Sequence, residues 1–228
     1  MRNAAIFILL IFLFPRLSVG KSLRFSNIEH PVADKARKVL SLAYKRLGIE
    51  AKFSKAPVKR SLIESNSGGL DGEAIRIKEA LKHAPNLRLV PTPIIRGEFK
   101  LYSRKPERYQ GAKSISGSTI ATINGLLGVV YLPPVAKIFY TSKHTQVFSM
   151  LLAGRVDYGY LDSITGASLL SKPEWKGKVF MLEPAVKEVF GFHFLHKKHE
   201  ALIPQVAKSL EKLLEENPEL RRELGFKN

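Results

Sequence analysis

From Ser22 onward, segments with strand periodicity alternate with segments of helical periodicity, and that alternation leaves few folds open to the chain. "SLRFSNI" (Ser22 to Ile28) reads as a strand. "PVADKARKVLSLAYKRLG" follows with apolar residues at Val32, Ala36, Val39, Leu40, Ala43 and Leu47, a helical spacing stopped by Gly48. "IEAKFSK" alternates as a second strand. Pro57 opens a second helix that ends at Gly68-Gly69, and "LDGEAI" is a third strand. Strands separated by helices imply parallel βαβ units. After "NLRLV" and "PTPIIRG", the stretch "EFKLYSRK" reads as a strand leading out of a first lobe. A second series then runs through the strand "STIATI", a helix beginning in "NGLLGVVYL", the strand "AKIFYTS", the helix "TQVFSMLLAG" and the strand "RVDYGYLD". "KVFMLEP" and "VFGFHFLHK" are late strands. A closing helix carries Leu202, Val206, Leu210, Leu213 and Leu214, and "PELRREL" follows it.

Two segments repeat one design. "SLIESNSGGLDGEAIR" and "SMLLAGRVDYGYLD" each pass from an apolar helix through glycine into an apolar-Asp strand. Five residues after the aspartate, the first has Arg76 and the second has Asp162, unlike charges at matching strand ends. Asp71 and Asp157 themselves sit at strand starts, where fixing the turn is the simpler role. Gly68, Gly69 and Gly154 are helix-ending glycines.

The first 20 residues stand apart from this pattern. Arg2 precedes the apolar run "AAIFILLIFLF", and Ser18 and Gly20 are small residues of the kind found before a cleavage site. The run suits a secretory signal and is short for a bilayer span; an uncleaved anchor is the alternative. The expected mature chain begins near Lys21 and acts outside the cytoplasm, in the periplasm. The chain has no cysteine, which excludes disulfides, thiolate metal sites and thiol nucleophiles. Its net charge of +17 becomes +15 when the two arginines of residues 1–20 are removed (17 − 2). The lysines are scattered, so the charge reads as a general surface property biased toward anionic surroundings, not as a nucleic-acid site. The densest cluster, "HKKH" at His196 to His199, is explained by a solvated strand end at least as well as by a binding patch.

The ordered set of "SLIESNSGGLDGEAIR", "SMLLAGRVDYGYLD" and "HFLHKKHEALIPQVAKSLEKLLEE" resembles the bacterial extracellular solute-binding proteins of family 3, periplasmic receptors for polar amino acids and related small solutes. The likeness runs over nearly the whole mature chain. It implies a two-lobed α/β fold of the type II periplasmic-binding-protein kind, each lobe a mainly parallel sheet flanked by helices, joined by two crossing strands. Residues 21–102 plus 191–228 would form the first lobe and residues 103–190 the second, with the terminal helices packing back on the first. Strand carboxyl ends and helix N-termini gather ligands at one edge of such a sheet, and two facing edges make a cleft that closes by hinge motion.

The resemblance supplies roles for particular residues. Asp162 matches the position that accepts hydrogen bonds from a ligand ammonium; it is also a favoured N-cap for the helix starting at "SITGASLL". Arg76 is its mirror and could grip a carboxylate, or lie at the surface. The family's Thr-x-x-Arg element is replaced here by "LKHAP", which puts an ordinary α-amino acid ligand in question. Asn124 and Gly125 in "TINGLLG" match a turn whose backbone N–H groups receive an anion, and an ordinary strand-to-helix turn accounts for them equally. Thr92 in "VPTPII" is a candidate for the cleft lining, and Tyr160 lies near the Asp162 strand end. Neither Arg76 nor Asp162 is expected to sit in the apolar core. The six histidines lack H-x-x-E-H and H-E-x-x-H spacing. His193, His196 and His199 are three apart, which alternates faces on a strand. No metal and no cofactor is expected.

These residues point to a monomeric, non-enzymatic binding protein that captures a small polar or charged solute for an ABC-type permease or a membrane sensor. The alternatives are an enzyme on the same fold, of the cyclohexadienyl dehydratase type, or a stand-alone ligand-sensing module. An enzyme needs a poised acid or base, and Glu73 is the carboxylate near the first-lobe strand end with no obvious pairing in the sequence.

Overall fold

The computed structural model describes residues 21–28, 31–134 and 136–226. The expected secretory segment, residues 1–20, lies outside the described residues. The first series is β1 (Ser22–Ile28), α1 (Pro31–Arg46), β2 (Glu50–Ala56), α2 (Val58–Asn66) and β3 (Gly72–Arg76). A long strand, β4 (Leu87–Ser103), leads to the second series: β5 (Thr119–Ile123), β6 (Lys137–Thr141), α3 (His144–Leu152), β7 (Tyr158–Asp162) and α4 (Ser163–Leu170). The short β8 (Phe180–Met181) and the returning β9 (Lys187–His196) precede α5 (Ile203–Glu216) and α6 (Pro218–Glu223).

The strands pair in the order β2-β1-β3-β9-β4-β7-β5-β6, with β8 added to β4. Within each series the pairing is parallel: β1 with β2 and β3, β5 with β6 and β7. The centre is antiparallel. β4 and β9 pair from Leu87↔His196 to Phe99↔Lys187, β3 joins the outer edge of β9, and β7 joins the outer edge of β4. These two strands are the crossings between lobes.

Each side has its own core. Val39, Leu40 and Ala43 of α1 pack with Leu23 and Phe25 of β1 and with the stripe Val206, Leu210, Leu213 and Leu214 of α5. Helical spacing puts that stripe on one face, and each such side chain contributes roughly 1.5–3 kcal/mol by leaving water. The terminal helix therefore joins the core of the first series. In the second series Phe148 and Leu151 of α3 pack with Tyr102, Val156 and Trp175.

The two aspartates at the strand starts do matching work. Asp71 Oδ2 accepts from the Arg24 backbone N–H at 2.8 Å, tying β3 to β1. Asp157 Oδ2 accepts from the Thr119 backbone N–H at 2.8 Å, tying β7 to β5. Asp71 also meets Lys198 and His199 at 2.8 and 2.7 Å. Burial raises its pKa, but the Arg24 N–H, Lys198 and His199 outweigh it and hold the carboxyl down at about 2.

Three local expectations give way. "NGLLGVVYL" forms only a 3-10 turn at Leu127–Tyr131, not an α-helix. "NLRLV", "PTPIIRG" and "EFKLYS" are one strand, β4, whose register shifts around Pro93 absorb the missing proline N–H donors. "HKKH" leaves the sheet at Lys197, where a 3-10 segment begins. Among the described residues, no helix is long and apolar enough to cross a membrane.

His193 lies fully buried on β9 between the sheet and α1. Its Nδ1 is 2.7 Å from the Glu73 carbonyl and its Nε2 is 2.8 Å from the Tyr44 hydroxyl. A neutral ring fits: Nδ1–H donates to the carbonyl and Nε2 accepts from Tyr44. Burial pushes its pKa down to about 4, although the hydrogen bond to the Glu73 carbonyl favours the protonated ring. The unfolded chain takes up this proton near pH 6.5. The site therefore contributes stability that is complete above that pH and is lost as pH falls toward about 4. Urea titrations should show the unfolding free energy falling between pH 7 and pH 4 with a shallower slope in His193→Gln; equal slopes would remove His193 as the cause.

Candidate binding cleft

The register decides where the strand ends meet. β3 runs along β9 from Gly72↔Leu195 to Arg76↔Phe192, and β7 runs along β4 from Tyr102↔Gly159 to Phe99↔Asp162. Both therefore run toward the middle of the β4–β9 ladder, one from each end. Arg76 and Asp162 finish on opposite sides of that middle. Between them lies a cavity of about 110 Å³, floored by ladder residues Ile95, Gly97, Phe99, Val189 and Gly191. Val58, Ile75 and Ile77 wall it on one side; Ile123, Gly125, Leu126, Leu127 and Ile164 wall it on the other.

The two walls touch. Gly125 has φ +86, and a Cβ placed on it would lie 3.2 Å from the Lys59 backbone nitrogen at the start of α2. Ile164 of α4 packs against the core of the first series. The cleft is held closed in this conformation.

Arg76 is only 7% exposed. Its Nε donates to Glu73 Oε2 at 2.9 Å, and its Nη2 donates to the Val58 carbonyl at 2.7 Å and to Ser61 Oγ. Glu73 is 1% exposed, and among the described residues its Oε1 has no hydrogen-bond partner. Two expectations are corrected here: Glu73 is paired, and Arg76 belongs to a buried network. Residues three apart on a regular strand face opposite ways. The register shift between Glu73 and Arg76 turns both side chains to one side.

Asp162 is the N-cap of α4, its Oδ1 accepting from the Thr165 N–H at 2.9 Å, and it lines the cavity as well. Its backbone carbonyl accepts from the Tyr102 hydroxyl at 3.3 Å. Glu98 also reaches the cavity but is matched by Lys100 at 3.2 Å, which meets Glu183 too. Among the described residues His144, at the start of α3, completes the titratable lining.

Of the six residues singled out in the sequence, the cavity brings together Arg76, Gly125 and Asp162. Thr92 turns the other way, its Oγ1 donating to the Ala207 carbonyl of α5 at 3.1 Å. Tyr160 is fully buried, stacked on Phe99 at 5.6 Å between ring centroids, with its hydroxyl donating to the Gly128 carbonyl at 2.9 Å. Asn124 is exposed and borders a separate depression with Tyr140, Gln146 and Arg155. His144, Glu98 and the paired leucines Leu126 and Leu127 were not foreseen. The leucines carried a signal, since two apolar residues directly after a strand-end glycine have little reason to be there unless covered. Among the described residues, no group of three or more His, Asp or Glu converges as a metal site requires.

No protein-family model matches the chain. An uncharacterized protein of Shewanella oneidensis strain MR-1 is 23% identical over 189 residues, covering 79% of this chain and 71% of that one. Among solved structures, a mutant of ArgBP from T. maritima superposes with a TM-score of 0.73 at 17% identity, covering 90% of this chain and 95% of that one. The amino acid ABC transporter substrate-binding protein AbpA from Streptococcus pneumoniae, bound to L-arginine, gives 0.72 at 15% identity, covering 90% and 93%. The GluR0 ligand-binding core from Nostoc punctiforme with L-glutamate gives 0.71 at 17%, covering 88% and 96%. At such identities the likeness is one of architecture, and it agrees with the strand order and crossings above: the chain has the two-lobed α/β fold of periplasmic binding proteins.

Proposed function

We propose that this chain is a binding protein that closes its two lobes over one small zwitterionic solute and releases it unchanged. The observation that carries the reading is the convergence of Arg76 and Asp162, the ends of two matching strands, on a single cavity between the lobes. Asp162 would take the ligand ammonium through a charge-assisted hydrogen bond. Arg76 and the backbone around Gly125 would face its carboxylate. The structures that superpose include an amino acid ABC transporter substrate-binding protein and a ligand-binding core, which supports a solute-binding role.

One residue weighs against the enzymatic alternative: Glu73, the carboxylate the sequence offered for it, is held by Arg76 and Ser61. In this reading the protein is exported by residues 1–20, works as a monomer in the periplasm, and hands its solute to a permease or reports it to a membrane sensor.

A thermal-shift screen of amino acids, polyamines, organic acids and short peptides tests the reading, because a ligand bound to the folded form raises the melting temperature. With the best ligand of the screen, Asp162→Asn should weaken binding at least about tenfold, or 1.4 kcal/mol. Asparagine is as good an N-cap as aspartate, so the melting temperature without ligand should hold. Unchanged affinity would remove Asp162 from the site.

Arg76→Ala should behave differently. Removing one partner of a buried ion pair strands the other, at a cost of about 3–5 kcal/mol. Urea titration should show a loss of that order, largely recovered in the double variant Glu73→Leu with Arg76→Met. A loss below about 1 kcal/mol would mean that water reaches the pair.

A further inference from the structure

Toward each of its ends the ladder of β4 and β9 is stiffened by a third strand. β3 lies beside β9 as far as Arg76↔Phe192, and β7 lies beside β4 from Phe99↔Asp162 outward. Among the described residues, the stretch from Ile95↔Gly191 to Glu98↔Glu188 pairs with neither of them. Motion of one lobe against the other must bend the sheet there.

One further segment grips that stretch. After α6 the chain passes through Leu224, Gly225 and Phe226 onto the ladder pair Arg96↔Phe190. The Arg96 backbone N–H donates to the Leu224 carbonyl at 2.9 Å, and Arg96 Nη1 donates to the Gly225 carbonyl at 3.3 Å. Gly225 has φ +87, and a Cβ on it would collide with the Arg96 carbonyl oxygen, so glycine is what lets the two backbones lie this close. The Phe226 ring stacks on Phe190 with 6.4 Å between centroids and 22° between planes. Arg96 is also paired with Glu188 across the ladder. These contacts reach both crossing strands at one ladder pair.

The same segment is fixed to the first lobe. Leu224 is 1% exposed in the core that holds α1 and α5. The Glu223 carbonyl accepts from Lys35 Nζ of α1 at 2.8 Å, and its carboxylate lies 3.6 Å from Lys38 Nζ. Arg96 and Phe190 alternate with Ile95, Gly97, Val189 and Gly191, which floor the cavity, and so turn to the face away from it.

We propose that residues 224–226 are a strap that secures the hinge in its closed arrangement and sets the balance between closed and open forms. Bending the ladder at Arg96↔Phe190 moves both residues against a segment rooted in the first lobe, so opening costs the contacts made there. Contacts present in one state and lost in the other shift the equilibrium by their difference. Through this balance, residues outside the cleft govern how tightly the lobes hold what lies between them. The strap acts on the free protein, and its action does not depend on which solute the cleft takes.

Lobe separation in the ligand-free full chain tests this. The chain has no cysteine, so Lys55→Cys and Tyr140→Cys accept a pair of spin labels. Both positions are exposed and lie on the outermost strands, β2 and β6, one in each lobe. Phe226→Ala and Gly225→Val should each raise the longer-distance population at least about threefold. Phe226→Tyr, which keeps the stack, should match the parent. Leu151→Ala, in the separate core of the second series, should lower the melting temperature and leave the distances as they are. An unchanged distribution in Phe226→Ala or Gly225→Val, or a shift to shorter distances, would overturn the strap. An equal shift in Leu151→Ala would overturn it too, because loss of stability alone would then account for the change.

Discussion

Everything in this molecule hangs on the antiparallel ladder between β4 and β9. It is the one part of the sheet shared by both lobes, and each parallel half-sheet docks on one of its outer edges. Because β3 and β7 attach from opposite ends and run inward, their carboxyl ends face one another across the ladder's middle. A single parallel sheet gathers ligand groups along one edge; here two edges are turned to face each other by register alone. Gly97 and Gly191 at that middle add no side chain to a floor they share with Ile95, Phe99 and Val189. The cleft is a consequence of where the half-sheets grip the ladder.

Much of this could be read beforehand, because it depends on short-range patterns. The glycine, apolar residue and aspartate before β3 and β7 are local, and the two carboxylates do meet the backbone of the neighbouring strand start. The leucine stripe of α5 is likewise a matter of helical spacing. The site was legible in part, and the failures share a cause. Thr92 was placed by the family resemblance and Tyr160 by its nearness to Asp162, and neither reading weighed what packs on each face of the strand. Thr92 turned toward α5, and Tyr160 into the core on Phe99. Glu73 and Arg76 failed in the reverse sense, since regular alternation would have kept them apart and a bulge united them. Bulges carry no dependable sequence mark. The apolar character of the cleft was hidden because its lining comes from segments scattered between Ile28 and Gly191, none of which is unusual alone.

The basicity of the chain and the chemistry of the cleft are separate matters. The net charge of +17 is spread over lysines and arginines along the sequence, whereas the cavity holds one arginine, neutralised by its neighbour. Exposed charges act on what approaches the molecule and fade within about 8 Å at physiological salt. They bear on its surroundings and not on what fits between the lobes. Inference from overall charge to the chemistry of the cleft would point toward anions, while most of the lining residues are apolar.

Gly125 carries one last consequence. At this residue the lobes meet backbone to side chain and backbone, with α2 only 3.2 Å from where a Cβ would stand. A side chain here would press on Val58 and on the Lys59 nitrogen, and at φ +86 it would also strain the backbone, so the seam would have to open by a few tenths of an ångström. Electrostatic attraction between a solute and a carboxylate weakens severalfold when water can enter between them. The bare Cα at position 125 thus lets the two walls approach closely, and close approach leaves little room for water at that seam.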